Sequence, residues 1–85
     1  MSDKRLGFVG IIMENRDHAA EVNATISQFA SCIRARVGVP DTDHEAAVIG
    51  LIVQGNDLTL GSLTAKLGNI KGVQVKSALS KKTQE

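Results

Sequence analysis

The chain has 85 residues, with ten lysines and arginines against nine aspartates and glutamates, and a formal net charge of +1 at pH 7. This length holds one small domain with a modest core and excludes a multidomain enzyme. A composition of 42% hydrophobic and 22% charged residues excludes an intrinsically disordered chain, and the balanced charge lacks the clustered basic excess of nucleic-acid-binding proteins. The single cysteine, Cys32, excludes an internal disulfide and favours a reduced, cytoplasmic compartment.

The N-terminal half predicts a strand, a helix and a second strand. Residues 6–13 form an apolar run of the length expected for a strand buried on both faces. Asn15 is expected to cap a helix running from about Arg16 to Ser31, along which apolar side chains recur every three or four residues. From Cys32 onward, apolar residues alternate with arginines, which predicts a half-exposed strand that ends in the segment 38–41. The alternating residues are Ile33, Ala35 and Val37 on one side and Arg34 and Arg36 on the other.

The C-terminal half predicts the same order of elements again. Residues 46–53 form a second apolar run, which predicts another strand buried on both faces. Gly55-Asn56-Asp57 breaks this run and offers caps for a second helix, on which leucines recur every three or four residues. Gly68 is expected to end that helix in the left-handed conformation, and Gly72 is expected to turn the chain. Residues 73–76 alternate between apolar and polar side chains and predict a last strand.

The predicted order of elements is β-α-β-β-α-β, which is the ferredoxin-like arrangement of two split βαβ units. This is an α+β fold with a four-stranded antiparallel sheet, in the order 4-1-3-2, and two helices on one face. The first and third strands lie in the centre of such a sheet, and in this sequence they are the two apolar runs. We expect one domain over residues 1–79, followed by a polar C-terminal tail over residues 80–85.

The two central strands carry apolar residues in both phases of their alternation. Phe8 and Ile12 point away from Val9 and Ile11, so the face of the sheet that the helices leave uncovered is apolar as well. Monomeric proteins rarely expose a patch of this kind. We therefore expect a homo-oligomer, a dimer or a tetramer, that assembles through the sheet. The alternative is that the chain's own edge residues and tail cover the face.

Three kinds of chemistry find little support in the residues. RNA-recognition modules of this topology stack bases on aromatic side chains of the central strands, where this chain has only Phe8. About 20 Å of mostly helical chain separates His18 from Cys32, so one chain cannot hold both residues on one metal ion. A metal site shared between chains stays an alternative, and His44 of the hairpin loop is a further candidate ligand for it. No histidine close in sequence activates Cys32 as a nucleophile, and no glycine-rich phosphate loop occurs. We predict no enzyme, and no catalytic, cofactor-binding or metal-binding residues.

A direct nucleic-acid-binding transcriptional regulator is the main alternative function. It would use Arg34, Arg36 and the C-terminal lysines, which are Lys71, Lys76, Lys81 and Lys82. The simpler interpretation of those lysines is a solvated edge and tail. No apolar stretch approaches the length of a transmembrane helix, so no membrane contact is predicted.

Several segments of the sequence resemble known families. Glu14-Asn15-Arg16 after the first strand resembles the first turn of ACT domains, the small-molecule-sensing modules of metabolic enzymes, and residues 63–75 resemble their second helix and last strand. The span 5–77 more closely resembles a family of small ACT-like proteins described as iron-only hydrogenase system regulators. The segments that carry this resemblance are RARVGVP at 34–40, LTAKLG at 63–68 and GVQVK at 72–76.

The resemblance implies a ferredoxin-like fold and a regulatory, non-catalytic role exerted through a small effector or a partner protein. The family is related to the sensor domain of nickel-responsive repressors, which implies oligomers and effector binding between chains. Asn15 and Arg16, which match the loop that holds the ligand in ACT domains, are the candidate ligand-binding residues that the resemblance implies.

Overall fold

The computed structural model describes residues 4–41 and 46–81. Its elements are β1 (Arg5–Met13), α1 (Ala19–Gln28), a short 3-10 turn (Ala30–Cys32), β2 (Ile33–Asp41), β3 (Ala46–Gly55), α2 (Asp57–Gly68) and β4 (Val73–Leu79). The four strands form one antiparallel sheet in the order β2-β3-β1-β4, with β1 and β3 in the centre. This is the expected order 4-1-3-2 read from the other edge, so the ferredoxin-like prediction is confirmed.

Side chains alternate between the two faces of the sheet. On β1, Val9 and Ile11 are fully buried, whereas Ile12 is exposed. On β3, Leu51 is fully buried and Ile52 is exposed. The buried strand residues belong to the same core cluster as the buried residues of α1 and α2, so both helices lie on one face. We call the face beneath the helices the covered face and the opposite one the open face.

The core lies between the covered face and the two helices. Its buried residues are Val9, Ile11, Met13, Val22, Ile26, Cys32, Ile49, Leu51, Val53, Leu60, Leu63, Leu67 and Ile70. Phe29 and Ile33 pack against this cluster from its margin. The removal of these aliphatic side chains from water is the main driving force for folding such a domain.

The first helix begins later than the sequence predicts. α1 starts at Ala19 with His18 at its N-cap, and the His18 side chain makes no capping hydrogen bond. Asn15 Oδ1 instead accepts a hydrogen bond of 2.9 Å from the backbone N–H of Asp17, which closes a local turn. The expected cap at Asn15 and the expected helix start at Arg16 are therefore wrong, because the asparagine stabilises a turn ahead of the helix.

The second helix follows the prediction at its start but not at its end. Asn56 Oδ1 accepts a hydrogen bond of 2.7 Å from the backbone N–H of Thr59, so the N-cap lies in the expected segment and is Asn56. Gly68 is the last helical residue, but the only glycine at positive φ in the described ranges is Gly72, at 78°. The left-handed ending at Gly68 is wrong and the turn at Gly72 is confirmed. Neither described helix is long and apolar enough to cross a membrane.

An irregularity at the start of β2 changes which of its residues share a face. Ile33 pairs with Val53 and Ala35 pairs with Ile52, with a shift of register between the two pairs. Such a bulge reverses the phase of the alternation, which places Ile33 on the covered face and Ala35 on the open face. Simple alternation predicted a common face for Ile33, Ala35 and Val37, and the bulge removes Ile33 from it.

Candidate functional site

The open face gathers most of the large apolar side chains that the described chain exposes. They are Leu6, Phe8, Ile12, Val37, Val39, Val48 and Ile52. They come from three adjacent strands, and Phe8 lies opposite Ile52 while Ile12 lies opposite Val48. The expectation of an apolar second face is therefore confirmed. A contiguous patch of this kind is typical of an interaction surface rather than of ordinary monomer surface.

Between those two cross-strand pairs, the middle row of the open face has no side chains at its centre. Gly10 and Gly50 face each other across β1 and β3, with Val37 at one end of the row and Lys76 at the other. The ring of Phe8 leans over both glycines. A Cβ added at Gly50 would lie 2.8 Å from Phe8 Cε1, and one added at Gly10 would lie 3.1 Å from Phe8 Cε2. The ring occupies space that any side chain at these positions would need.

The glycine pair leaves an apolar depression of about 300 Å³ on the open face, which we call the glycine trough. Gly10 and Gly50 form its floor. Its walls are the side chains of Phe8, Ile12, Val37, Val39 and Val48, and Gln74 and Lys76 of β4 stand at one rim. Lys76 is the only charged residue among the described residues that line the trough. The trough therefore suits a mostly apolar group that carries a negative charge at one end.

A second depression, of about 470 Å³, lies beside the loop that follows β1. Arg16 from that loop and Arg36 from β2 both line it. Arg36 Nη2 donates a hydrogen bond of 2.7 Å to Oδ1 of Asn23 on α1. We call Arg16, Asn23 and Arg36 the arginine corner. Guanidinium groups bind carboxylate and phosphate oxygens through paired hydrogen bonds, so this corner suits an anion.

The two candidate ligand-binding residues from the sequence have different surroundings. Arg16 lines the arginine corner, whereas Asn15 does not, and its side-chain oxygen accepts the N–H of Asp17. Sequence reasoning missed Asn23 and the place of Arg36 beside Arg16. No local signal links α1 to β2, because that contact depends on how the helix packs across the sheet.

The basic residues of the nucleic-acid alternative do not form one patch. Arg34 donates two hydrogen bonds, of 3.1 and 2.9 Å, to Oε1 of Gln54, at one end of the open face. Arg36 instead pairs with Leu51 of the covered face and reaches Asn23 on α1. The bulge in β2 therefore separates the two arginines, and the nucleic-acid alternative gains no support from them. Lys76 lies on the open face, and Lys82 lies outside the described residues.

The residues that were weighed as metal ligands also lie apart. Cys32 is buried, and its thiol donates a hydrogen bond of 3.2 Å to the carbonyl of Phe29. Burial raises the pKa of the Cys32 thiol. His18 Nδ1 lies 2.6 Å from Oε1 of Glu21 on the surface of α1. Over residues 4–41 and 46–81, no three potential ligands of this kind are close enough to hold a metal ion, and His44 lies outside those ranges.

Comparison with solved structures places the fold of this protein among the ACT-like, ferredoxin-like folds. The chain is similar to the ACT domain from the GTP pyrophosphokinase of Chlorobium tepidum, at a TM-score of 0.72 and 24% identity over 86% of this chain and 96% of that one. It is also similar to the C-terminal domain of the MgtC protein from Mycobacterium tuberculosis, at a TM-score of 0.70 and 20% identity over 96% and 94% of the two chains. At these identities the likeness shows the fold.

The sequence identifies the family within that class. Residues 5–77 match the profile of the TM1266-like family, described as "Iron-only hydrogenase system regulator, putative". The uncharacterized protein TM1266 from Thermotoga maritima is 37% identical to this chain, with a TM-score of 0.86 over 92% of this chain and 99% of that one. The chain belongs to the TM1266-like family, which confirms the resemblance seen in the sequence. The family description indicates a regulatory module. No significant match was found among curated proteins.

Proposed function

We propose that this protein is a non-catalytic, cytoplasmic regulatory module of an iron-only hydrogenase system, which works as a homo-oligomer assembled through the open face. Its regulatory signal is a small effector or a partner protein. The observation that carries the proposal is the contiguous apolar surface of β1, β2 and β3 on the face that the helices leave uncovered. The free, buried thiol of Cys32 agrees with a reducing compartment.

The open face has the size of a small interface. Four strands about 4.8 Å apart and about seven residues long, at roughly 3.3 Å per residue, span about 19 by 23 Å. Two such faces in contact bury about 900 Å² in total, which lies below the range of about 1,200–2,000 Å² for stable, specific interfaces and within that of weak or transient ones. A twofold dimer would use the same patch on both chains, so the face would cover itself without a second kind of surface.

The effector site of this proposal is the arginine corner. Arg16 and Arg36 supply two guanidinium groups, and the hydrogen bond from Arg36 to Asn23 fixes one of them against α1. Asn15 holds the loop that presents Arg16, through its bond to the N–H of Asp17. We expect an effector with a carboxylate or phosphate group, because these groups match the fork of the guanidinium.

The experiment that tests self-association is the molar mass in solution, measured by light scattering after size exclusion over a dilution series. We expect a dimer or a tetramer for the natural chain. Val48→Lys places a charge in the middle of the open face and should raise the dissociation constant at least about tenfold, because the lysine would be buried without a partner.

Leu58→Lys is the matched control. Leu58 is an 84% exposed leucine on α2, away from the open face, so the same change in charge there should leave the mass unchanged. A monomer of the natural chain at every concentration would overturn the homo-oligomer proposal, and the apolar face would then await a different protein. Equal effects of the two substitutions would move the interface away from the open face.

A further inference from the structure

The centre of the open face carries no side chain of its own, and the ring of Phe8 covers it only in part. Gly10 and Gly50 lie near the middle of β1 and β3, which are the two central strands, and they face each other in the sheet. Large apolar side chains flank them along both strands, at Phe8, Ile12 and Val48. The centre of a protein interface is normally its best-packed part, with large side chains that fill pockets on the partner. Here the centre is a hollow.

Self-association would enclose this hollow rather than fill it. Packed sheets lie about 10 Å apart, and the side chains of both faces must fill that gap. In a face-to-face twofold dimer whose axis crosses the centre of the open face, the two glycine pairs would meet, and neither would contribute a side chain. The ring of Phe8 covers part of each floor, and a depression of about 300 Å³ is left on each chain. An unfilled apolar hollow at the centre of an interface is destabilising, so a bound group there would favour assembly.

The walls of the trough define the chemistry of that group. The floor is sheet backbone whose N–H and C=O groups bond to neighbouring strands, so it offers no free hydrogen-bonding partner. The aliphatic and aromatic walls select an apolar body. Lys76 pairs with Gly10 across the sheet, stands at the rim, and forms no ion pair with any described residue. A carboxylate beside Lys76 would accept a charge-assisted hydrogen bond from its ammonium group.

We propose that the glycine trough binds a small carboxylic acid with an apolar body, whose tail lies on Gly10 and Gly50 beside Phe8 and whose carboxylate lies at Nζ of Lys76. A volume of about 300 Å³ is at the small end of the range for ligand pockets, which suits a single acyl or aromatic acid rather than a nucleotide. This site is distinct from the arginine corner. The ligand site depends on the proposed function in one respect only, which is that a second chain would cover the bound ligand.

The test uses octanoate as the probe and octanamide as its neutral match, both titrated into the full chain while backbone amide signals are followed by NMR. Octanoate should shift the amides of Gly10, Gly50 and Val37 in a saturable way, and octanamide should bind more weakly. Lys76→Gln should weaken octanoate by roughly threefold to tenfold, because it removes a charge-assisted contact, and should leave octanamide unchanged. Lys71→Gln, an exposed lysine outside the trough, is the matched control and should change neither affinity.

Gly50→Ala tests the apolar part of the site. The added methyl group would lie 2.8 Å from Phe8 Cε1, so the ring must move and the floor is filled. Both probes should lose affinity, while the pattern of amide signals from the covered face shows that the variant is folded. Equal binding of octanoate and octanamide, equal effects of Lys76→Gln and Lys71→Gln, or no saturable shift in the trough would each overturn the proposal.

Light scattering on the same samples separates the two proposals. An oligomer whose trough signals do not respond to octanoate leaves the proposed self-association standing and overturns the ligand site. A monomer whose trough binds octanoate in a Lys76-dependent way supports the ligand site and overturns the self-association. A lower dissociation constant of the oligomer in the presence of octanoate supports both the ligand site and the self-association, because a ligand that binds the assembled state preferentially must stabilise it.

Discussion

The two faces of the sheet are both apolar in sequence, but only one of them is buried in the folded chain. Both phases of the alternation in β1 and β3 are apolar, yet the chain's own helices cover only one of them. On the covered face, Ile11 and Leu51 are fully buried, whereas Ile12 and Ile52 on the open face remain exposed. The fold of one chain requires only the first set. We expect the second set to contact another chain or a ligand rather than this chain's own helices.

The faces also differ in how their centres are filled. The covered face carries a large apolar side chain at each of its core positions on β1 and β3. The open face carries two glycines opposite each other at its centre. A core demands close packing because voids are destabilising, so an opposed glycine pair would be unfavourable there; on the open face the ring of Phe8 covers the pair in part.

The largest predicted effect contrasts two neighbouring residues of the same type. Ile11→Ala removes a fully buried side chain and should lower the free energy of unfolding by about 2–5 kcal/mol. Ile12→Ala removes a side chain that is 45% exposed, and in dilute, monomeric protein it should cost less than about 1 kcal/mol. Urea unfolding of both variants at low protein concentration measures the difference.

The same pair sharpens the contrast at higher concentration. If the open face is an interface, the cost of Ile12→Ala should grow with protein concentration, because the oligomer contributes to stability only when it forms. The cost of Ile11→Ala relative to the natural chain should stay nearly constant. Equal costs for the two variants at low concentration would show that the open face is covered within one chain.

A second pair of variants tests how closely residues of the covered face pack near the two edge strands, β4 and β2. A Cβ added at Gly7 would lie 2.6 Å from the backbone oxygen of Ala78 and 2.5 Å from Cδ2 of Leu79, so Gly7→Ala must push β4 away from β1. We expect a loss of about 1–3 kcal/mol. A Cβ at Gly38 on β2 would meet only ordinary contacts at 3.7 Å, and Gly38→Ala should be neutral or stabilising by up to about 1 kcal/mol.

Thermal or urea unfolding of the two glycine variants gives the comparison directly. The expected loss at Gly7 should appear together with faster exchange of the amide protons of β4, because the strand loses its fit to β1. A neutral Gly7→Ala would mean that β4 shifts easily, and the covered face would then be less closed at that edge than the contacts indicate.

The two continuous apolar runs and the helical spacing that follows each of them were enough to predict the fold and its two apolar faces. Residues 6–13 and 46–53 have the length of strands, and they are apolar in both phases of a strand's alternation. The strand order followed because the two fully apolar runs belong in the centre. The bulge between Ile33 and Ala35 could not be predicted, because a shift of register depends on pairing with β3 rather than on the local sequence.

The site was less accessible to sequence reasoning than the fold. Gly10 and Gly50 were visible as strand glycines, but only the register shows that they face each other. Arg36 and Asn23 come from different elements, and their 2.7 Å hydrogen bond depends on where α1 crosses the sheet. Local propensity also misled at Asn15, which has the same residue type as the true cap at Asn56 but holds a turn instead.

A third prediction compares those two asparagines, which lie ahead of the two helices that close the covered face. Asn56→Ala removes the bond to the N–H of Thr59 and should cost about 1 kcal/mol, as for other N-caps. Asn15→Ala removes a bond in an exposed turn and should cost a few tenths of a kcal/mol. Urea unfolding measures both, and Asn→Asp at each position is the control that keeps the acceptor oxygen. Equal costs would mean that Asn15 also anchors α1.

The smallest predicted effect concerns Cys32, which lies at the margin of the covered face. At the margin we expect the chain's own helices to exclude water least well. Its thiol is buried and donates to the carbonyl of Phe29, and burial raises its pKa in the folded chain. A raised pKa means that the folded state holds the proton more tightly than the unfolded state. The protonated thiol therefore makes its full contribution to the free energy of unfolding at pH values below the thiol pKa of the unfolded chain. That contribution is lost as the pH rises through the higher thiol pKa of the folded chain.

The measurement is the difference in unfolding free energy between the natural chain and Cys32→Ala at a series of pH values. The difference should be constant near neutral pH, where it reports only packing, and should shrink in alkaline solution as thiolate formation penalises the folded natural chain. A thiol reagent gives an independent reading: at neutral pH it should label Cys32 at least about tenfold more slowly in the native chain than in urea. Similar labelling rates in the native and the urea-unfolded chain, together with a difference in unfolding free energy that does not change with pH, would mean that water reaches the margin of the covered face. The contrast in burial between the covered and open faces would then hold only at their centres.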